Sequence, residues 1–94
     1  MSEIRFAALA RRDLEAIDRH YRAIHPPVAE TIVARIFAAT RLLGDLPKAG
    51  PVTARGDRRK WRVADTPYLI FYHIETDHVR ILRVIHGARR QARP

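Results

Sequence analysis

Four cations in five residues, Arg58, Arg59, Lys60 and Arg62, are the densest chemical feature of this sequence. Arg83, Arg89 and Arg90 follow in the same half of the chain. Guanidinium and ammonium groups at this density can grip phosphate or an acidic protein surface. They repel one another unless a counter-charge is present, which favours a binding role over a merely solvated face. His86 ends a β-rich stretch and is a candidate acid or base, although a histidine there serves packing more often than catalysis. Trp61, Tyr68, Phe71 and Tyr72 could stack on bases, but their alternating spacing favours core packing. No metal site is expected: His20 and His25 lie five apart, which does not bring them onto one helix face. The remaining histidines, His73, His78 and His86, form no ligand spacing, and no glycine-rich phosphate loop is present. No cofactor is expected.

The placement of charge sharpens this. The net charge is +8, and residues 1–47 hold seven basic and six acidic side chains against eleven and four in residues 48–94. Nearly all the excess is C-terminal, which points to a polyanion or an acidic partner. There are no cysteines, so disulfides, thiolate metal sites and cysteine nucleophiles are excluded. The 94 residues suffice for a single domain, 1–94. The opening residues carry charges throughout, and no apolar run approaches the roughly 20 residues a membrane span needs. The expectation is a cytoplasmic protein with no membrane partner.

The elements that must position these groups are legible from periodicity. Ile4 to Ala8 is a short apolar run consistent with a strand. Leu14, Ile17, Tyr21 and Ile24 follow a helical stripe, so a helix is predicted over about 10–24. His25-Pro26-Pro27 stops it, and a second helix is predicted from Pro27 to Leu46. Its stripe is Ile32, Val33, Ile36, Phe37, Thr40 and Leu43. A break this short predicts an antiparallel helix hairpin. Pro47, Gly50, Pro51 and Gly56 mark the stretch from Gly44 to Gly56 as a loop. Arg59, Trp61 and Val63 then alternate as a strand, and Asp65-Thr66-Pro67 turns into a strand over Tyr68 to Ile74. Glu75-Thr76-Asp77 is a tight turn before the last strand, Val79 to Ile85. The result is an α+β domain ordered β-α-α-β-β-β, with a helix hairpin packed on an antiparallel sheet.

Three segments, in order, resemble the ParE/RelE toxin superfamily of type II toxin–antitoxin systems, also called plasmid-stabilisation proteins. They are Ala10-Arg-Arg-Asp-Leu-Glu-Ala-Ile17, Leu46-Pro47 with Gly50, and Trp61-Arg-Val through Tyr68-Leu-Ile-Phe-Tyr72 to Val79-Arg-Ile-Leu-Arg-Val-Ile-His-Gly-Ala-Arg89. The resemblance implies a toxin neutralised by a small acidic antitoxin in a hetero-oligomer. It also implies one of two targets: DNA gyrase, for ParE-like members, or the ribosome and its mRNA, for RelE-like endonucleases. A plain nucleic-acid-binding module is the further alternative.

Metal-free RNA cleavage needs a base, a cation at the phosphorane and an acid. The resemblance offers Arg89 and His86 for these roles if the chain is an RNase. Leu69, however, stands where RelE-like enzymes place an arginine, and no tyrosine follows His86. An apolar side chain cannot stabilise a phosphorane, so the ParE-like reading, a non-enzymatic gyrase inhibitor, is favoured. Binding of antitoxin or target is assigned to Arg58, Arg59, Lys60, Arg62, Arg83, Arg89 and Arg90.

Overall fold

The computed structural model describes residues 2–88, and Arg89 and Arg90 therefore lie outside the described residues. The first strand, β1 (Glu3–Phe6), leads into helix α1 (Ala8–Ile24) and helix α2 (Pro26–Asp45). A single 3-10 turn at Pro47–Ala49 follows, then β2 (Arg59–Arg62), β3 (Tyr68–Ile74) and β4 (His78–His86). The order is the expected β-α-α-β-β-β.

His25 alone joins the helices. Its N–H donates to the Tyr21 carbonyl at 2.7 Å, closing α1, and its own carbonyl accepts the Val28 N–H at 2.9 Å, opening α2. Pro26 and Pro27 occupy the first turn of α2, where no intrahelical N–H is required. The helix thus starts one residue earlier than expected. Gly44 lies inside α2 rather than in the loop that follows, because a buried backbone contact holds it there: its carbonyl accepts the Ser2 N–H at 2.8 Å.

The sheet order is β1-β4-β3-β2. β2, β3 and β4 form the expected antiparallel meander. The departure is β1, which pairs with β4 in parallel, from Glu3↔His78 to Phe6↔Ile81. The helix pair that follows β1 carries the chain away from the sheet, and the meander brings β4 back beside β1 in the same direction. The sheet is therefore mixed.

One register irregularity decides the later chemistry. Phe71 pairs with Arg83 but Tyr72 pairs with Ile81, which leaves Leu82 as the extra residue of a β-bulge. A one-residue insertion reverses the facing of everything beyond it. Val79 and Ile81 face the helices before the bulge; after it Val84 does, and Arg83 is spared the core.

The core unites Ile17 of α1, Ile36 and Leu43 of α2, and Ile70, Tyr72 and Ile81 of the sheet. Ile24, expected on the buried stripe, is 69% exposed because α1 ends there, beyond the sheet's cover. Phe71 is buried but stands outside that core cluster, as its opposite facing requires.

Candidate functional site

Strand alternation sorts the basic cluster. Arg59 and Trp61 pair with Tyr72 and Ile70 on the helix-facing side, whereas Lys60 and Arg62 pair with Phe71 and Leu69 on the other. Two rows cross the sheet on this second face: Lys60–Phe71–Arg83 and Arg62–Leu69–Ile85. Arg59 does not join them; its guanidinium donates to the Gly50 carbonyl at 2.8 Å and helps hold the preceding loop.

That loop is a small hairpin. Thr53 N–H donates to the Arg58 carbonyl at 2.7 Å, Gly56 N–H to the Thr53 carbonyl at 2.9 Å, and Val52 bridges Arg59. Gly56 has a φ of 86°, the left-handed conformation that glycine adopts without steric cost. Between this hairpin and α1 lies a cleft of about 720 Å³. Asp13, Arg55, Arg58, Phe71, Arg83 and His86 are among its lining residues. The volume falls in the range of small-ligand sites.

Arg83 is not a free cation. Its Nε and Nη2 donate to the two carboxylate oxygens of Asp13 at 2.8 and 3.0 Å. The same carboxylate accepts the Val84 N–H at 2.9 Å. β1 covers the β4 edge only as far as Ile81, so the carboxylate supplies the partner that the strand ladder no longer provides. Hydrogen bonding to Asp13 raises the Arg83 pKa above its usual value against the opposing effect of burial.

His86 accepts the Ala88 N–H at its Nδ1, 3.1 Å away, which places its proton on Nε2. Its ring meets Tyr68 edge-on, with centroids 5.5 Å apart. The Tyr68 hydroxyl donates to that of Tyr21 at 3.4 Å. Leu69 lies between Arg62 and Ile85 in its row.

The register thus puts Lys60, Arg62 and Arg83 on the side away from the helices, with Arg59 and His86 on the helix-facing side, while Arg58, Arg83 and His86 all line the cleft. Sequence reasoning missed Asp13, His20, Tyr21 and Arg55 as neighbours of this cleft. The amphipathic pattern of α1 marks Asp13 only as a polar position, and nothing local pairs it with a residue 70 positions away. Among the described residues, no group of three or more histidines and carboxylates could hold a metal, and no helix is long and apolar enough to cross a membrane.

Two helices on one face of a four-stranded mixed sheet, with a basic cleft between α1 and the 51–60 hairpin, define a small α+β scaffold. The model of the ParE toxin of type II toxin–antitoxin systems matches residues 4–91. The Sinorhizobium fredii protein named "Putative toxin Y4kP" is 36% identical over 84 residues, spanning 89% of this chain and 86% of that protein. A solved chain described as the chromosomal ParDE system from P. aeruginosa shares the fold, with a TM-score of 0.80 at 21% identity, over 92% of this chain and 96% of that one. The chain belongs to the ParE toxin family of type II toxin–antitoxin systems.

Proposed function

We propose that this ParE-family toxin acts in the cytoplasm by binding and poisoning DNA gyrase, without cutting RNA, and that a cognate antitoxin neutralises it in a hetero-oligomer. The observation that carries the non-enzymatic reading is the Asp13–Arg83 pair. Arg83, the β4 cation of the basic face, already has a carboxylate on it. A developing phosphorane would meet that negative charge as well as the guanidinium, which opposes the stabilisation a ribonuclease requires. Leu69 places an apolar side chain between Arg62 and Ile85 in the adjoining row, and the His86 Nδ1 is committed to a backbone N–H. Arg83 is thus paired and one His86 nitrogen is occupied, which supports the non-enzymatic reading.

For the antitoxin, the surface offers apolar ground with basic margins. Phe37, Leu42 and Leu46 are exposed on and just after α2, and Leu9 on α1. Lys60 and Arg62 are exposed at the β2 edge of the sheet. An acidic amphipathic segment can bury its apolar side on the first and pair with the second.

The test is biochemical. The purified toxin is mixed with gyrase and relaxed plasmid, and separately with ribosomes engaged on an mRNA. The expected result is lost supercoiling with trapped, cleaved plasmid and intact mRNA. Unimpaired gyrase together with cut mRNA would overturn the proposal.

A further inference from the structure

The cleft between α1 and the 51–60 hairpin lies apart from Lys60, Arg62 and the exposed helix side chains offered above to the antitoxin. We propose that it binds a terminal phosphate group, the phosphomonoester of a small nucleotide-like ligand.

Its cations outnumber its acids. Arg55, Arg58 and Arg83 line it against the single carboxylate of Asp13, which Arg83 already neutralises. Arg58 is half-buried, and neither its guanidinium nor that of Arg55 has a hydrogen-bond or ion-pair partner among the described residues. A cleft-lining arginine whose guanidinium has no partner in the fold is open to a ligand. Arg83 is held by two of its three nitrogens, which leaves Nη1 with no partner among the described residues and the guanidinium plane fixed. The His86 Nε2–H, freed by the bond at Nδ1, adds a neutral donor. Donors in excess of acceptors, with the Arg83 fork fixed by Asp13, suit phosphate oxygens.

Size and position select the ligand class. About 720 Å³ fits a small molecule, and most of the exposed apolar side chains that an extended protein segment would bury, Leu9, Ile24, Val28, Phe37 and Leu42, lie on the two helices and do not line the cleft. A terminal phosphate carries close to two charges and matches several cations in one cleft better than an internal phosphodiester, which carries one.

The experiment is calorimetric titration of the whole chain at constant ionic strength with AMP, adenosine and a short single-stranded oligonucleotide lacking terminal phosphates. AMP is expected to bind saturably with one-to-one stoichiometry, and adenosine at least roughly tenfold more weakly. Arg58→Ala should weaken AMP roughly tenfold or more. Arg55→Ala, on an exposed turn, should weaken it as well and guards against a folding defect in the first variant. Arg41→Ala, on the exposed side of α2, should leave it unchanged. AMP heats indistinguishable from chloride, equal binding of adenosine, or equal loss on Arg41→Ala would overturn the proposal. So would an oligonucleotide binding more tightly than AMP.

Discussion

Asp13 and Arg83 lie 70 residues apart in sequence and meet through two hydrogen bonds of 2.8 and 3.0 Å, while the same carboxylate accepts the Val84 N–H. One side chain of α1 therefore closes the bare edge of β4, fixes the facing of the strand after its bulge, and neutralises a cation of the basic face. The pair ties the first helix to the last strand at the rim of the cleft.

Removing that carboxylate tests its structural weight. Asp13→Ala leaves the Val84 N–H unpartnered and Arg83 without its counter-charge. Because the Arg83 side chain is 38% exposed, water recovers part of the loss. The expected cost is about 1–3 kcal/mol, read from urea denaturation. A change below about 0.5 kcal/mol would show that the pair is ornamental.

Tyr72 predicts an alkaline pH dependence. It is fully buried; its hydroxyl donates to the Pro47 carbonyl at 2.7 Å and accepts the Gly50 N–H at 2.9 Å. Burial pushes its pKa up, opposed by the Gly50 hydrogen bond and the nearby Arg59. Below pH about 10 the folded and unfolded chains both keep the proton, and the tyrosine adds no slope. Above that, the unfolded chain releases it first, so stability falls as pH rises toward the higher folded value. Tyr72→Phe should flatten this alkaline fall while costing about 1–3 kcal/mol near neutrality, through the two abandoned backbone groups. Identical alkaline slopes for the two proteins would contradict the assignment.

Gly50 is required for space rather than for its dihedral angles, since its φ of −83° suits any residue. A Cβ there would overlap the Lys60 carbonyl oxygen and the Tyr72 hydroxyl, 2.7 Å away. Gly50→Ala should therefore destabilise by about 1–3 kcal/mol or more, and lower the thermal midpoint. Gly56→Ala meets no neighbour but carries the strain of a positive φ, so its cost, about 1 kcal/mol, should be the smaller of the two.

Charge reversal on the open face probes the antitoxin. Lys60→Glu with Arg62→Glu alters exposed side chains that no described hydrogen bond or ion pair engages. The double variant should keep its fold and bind a cognate acidic antitoxin roughly tenfold or more weakly at low salt, with a shallower salt dependence. Arg59→Glu is the poorer probe, because Arg59 also holds the Gly50 carbonyl. Unchanged affinity and salt dependence would remove this face from the antitoxin contact.

The parts of the fold that local pattern determines were legible in the sequence. The stripe from Leu14 to Tyr21 gave α1, and the prolines at 26 and 27 gave the break. The β-branched and aromatic runs from Tyr68 and Val79 gave the long strands. The partner of β1 was not legible, because four residues carry no periodicity and their neighbour comes from the far end of the chain. Nor was the bulge at Leu82. Strict alternation from Val79 would turn Arg83 toward the helices, and only the extra residue returns it to the cleft. The basic cluster was visible as composition; its division, with Arg59 on one side and Lys60 and Arg62 on the other, needed the register. Asp13 was invisible as a site residue because its meaning depends wholly on a contact across the fold.

The most direct test of the account is a pulse-label measurement in bacteria after induction of the toxin without antitoxin. Incorporation of labelled thymidine, uridine and amino acids is followed in parallel, and chromosomal DNA is examined for breaks. The account predicts that DNA synthesis stops first, with breaks, and that His86→Ala leaves this arrest intact. Early arrest of protein synthesis with cleaved mRNA, abolished by His86→Ala, would contradict it.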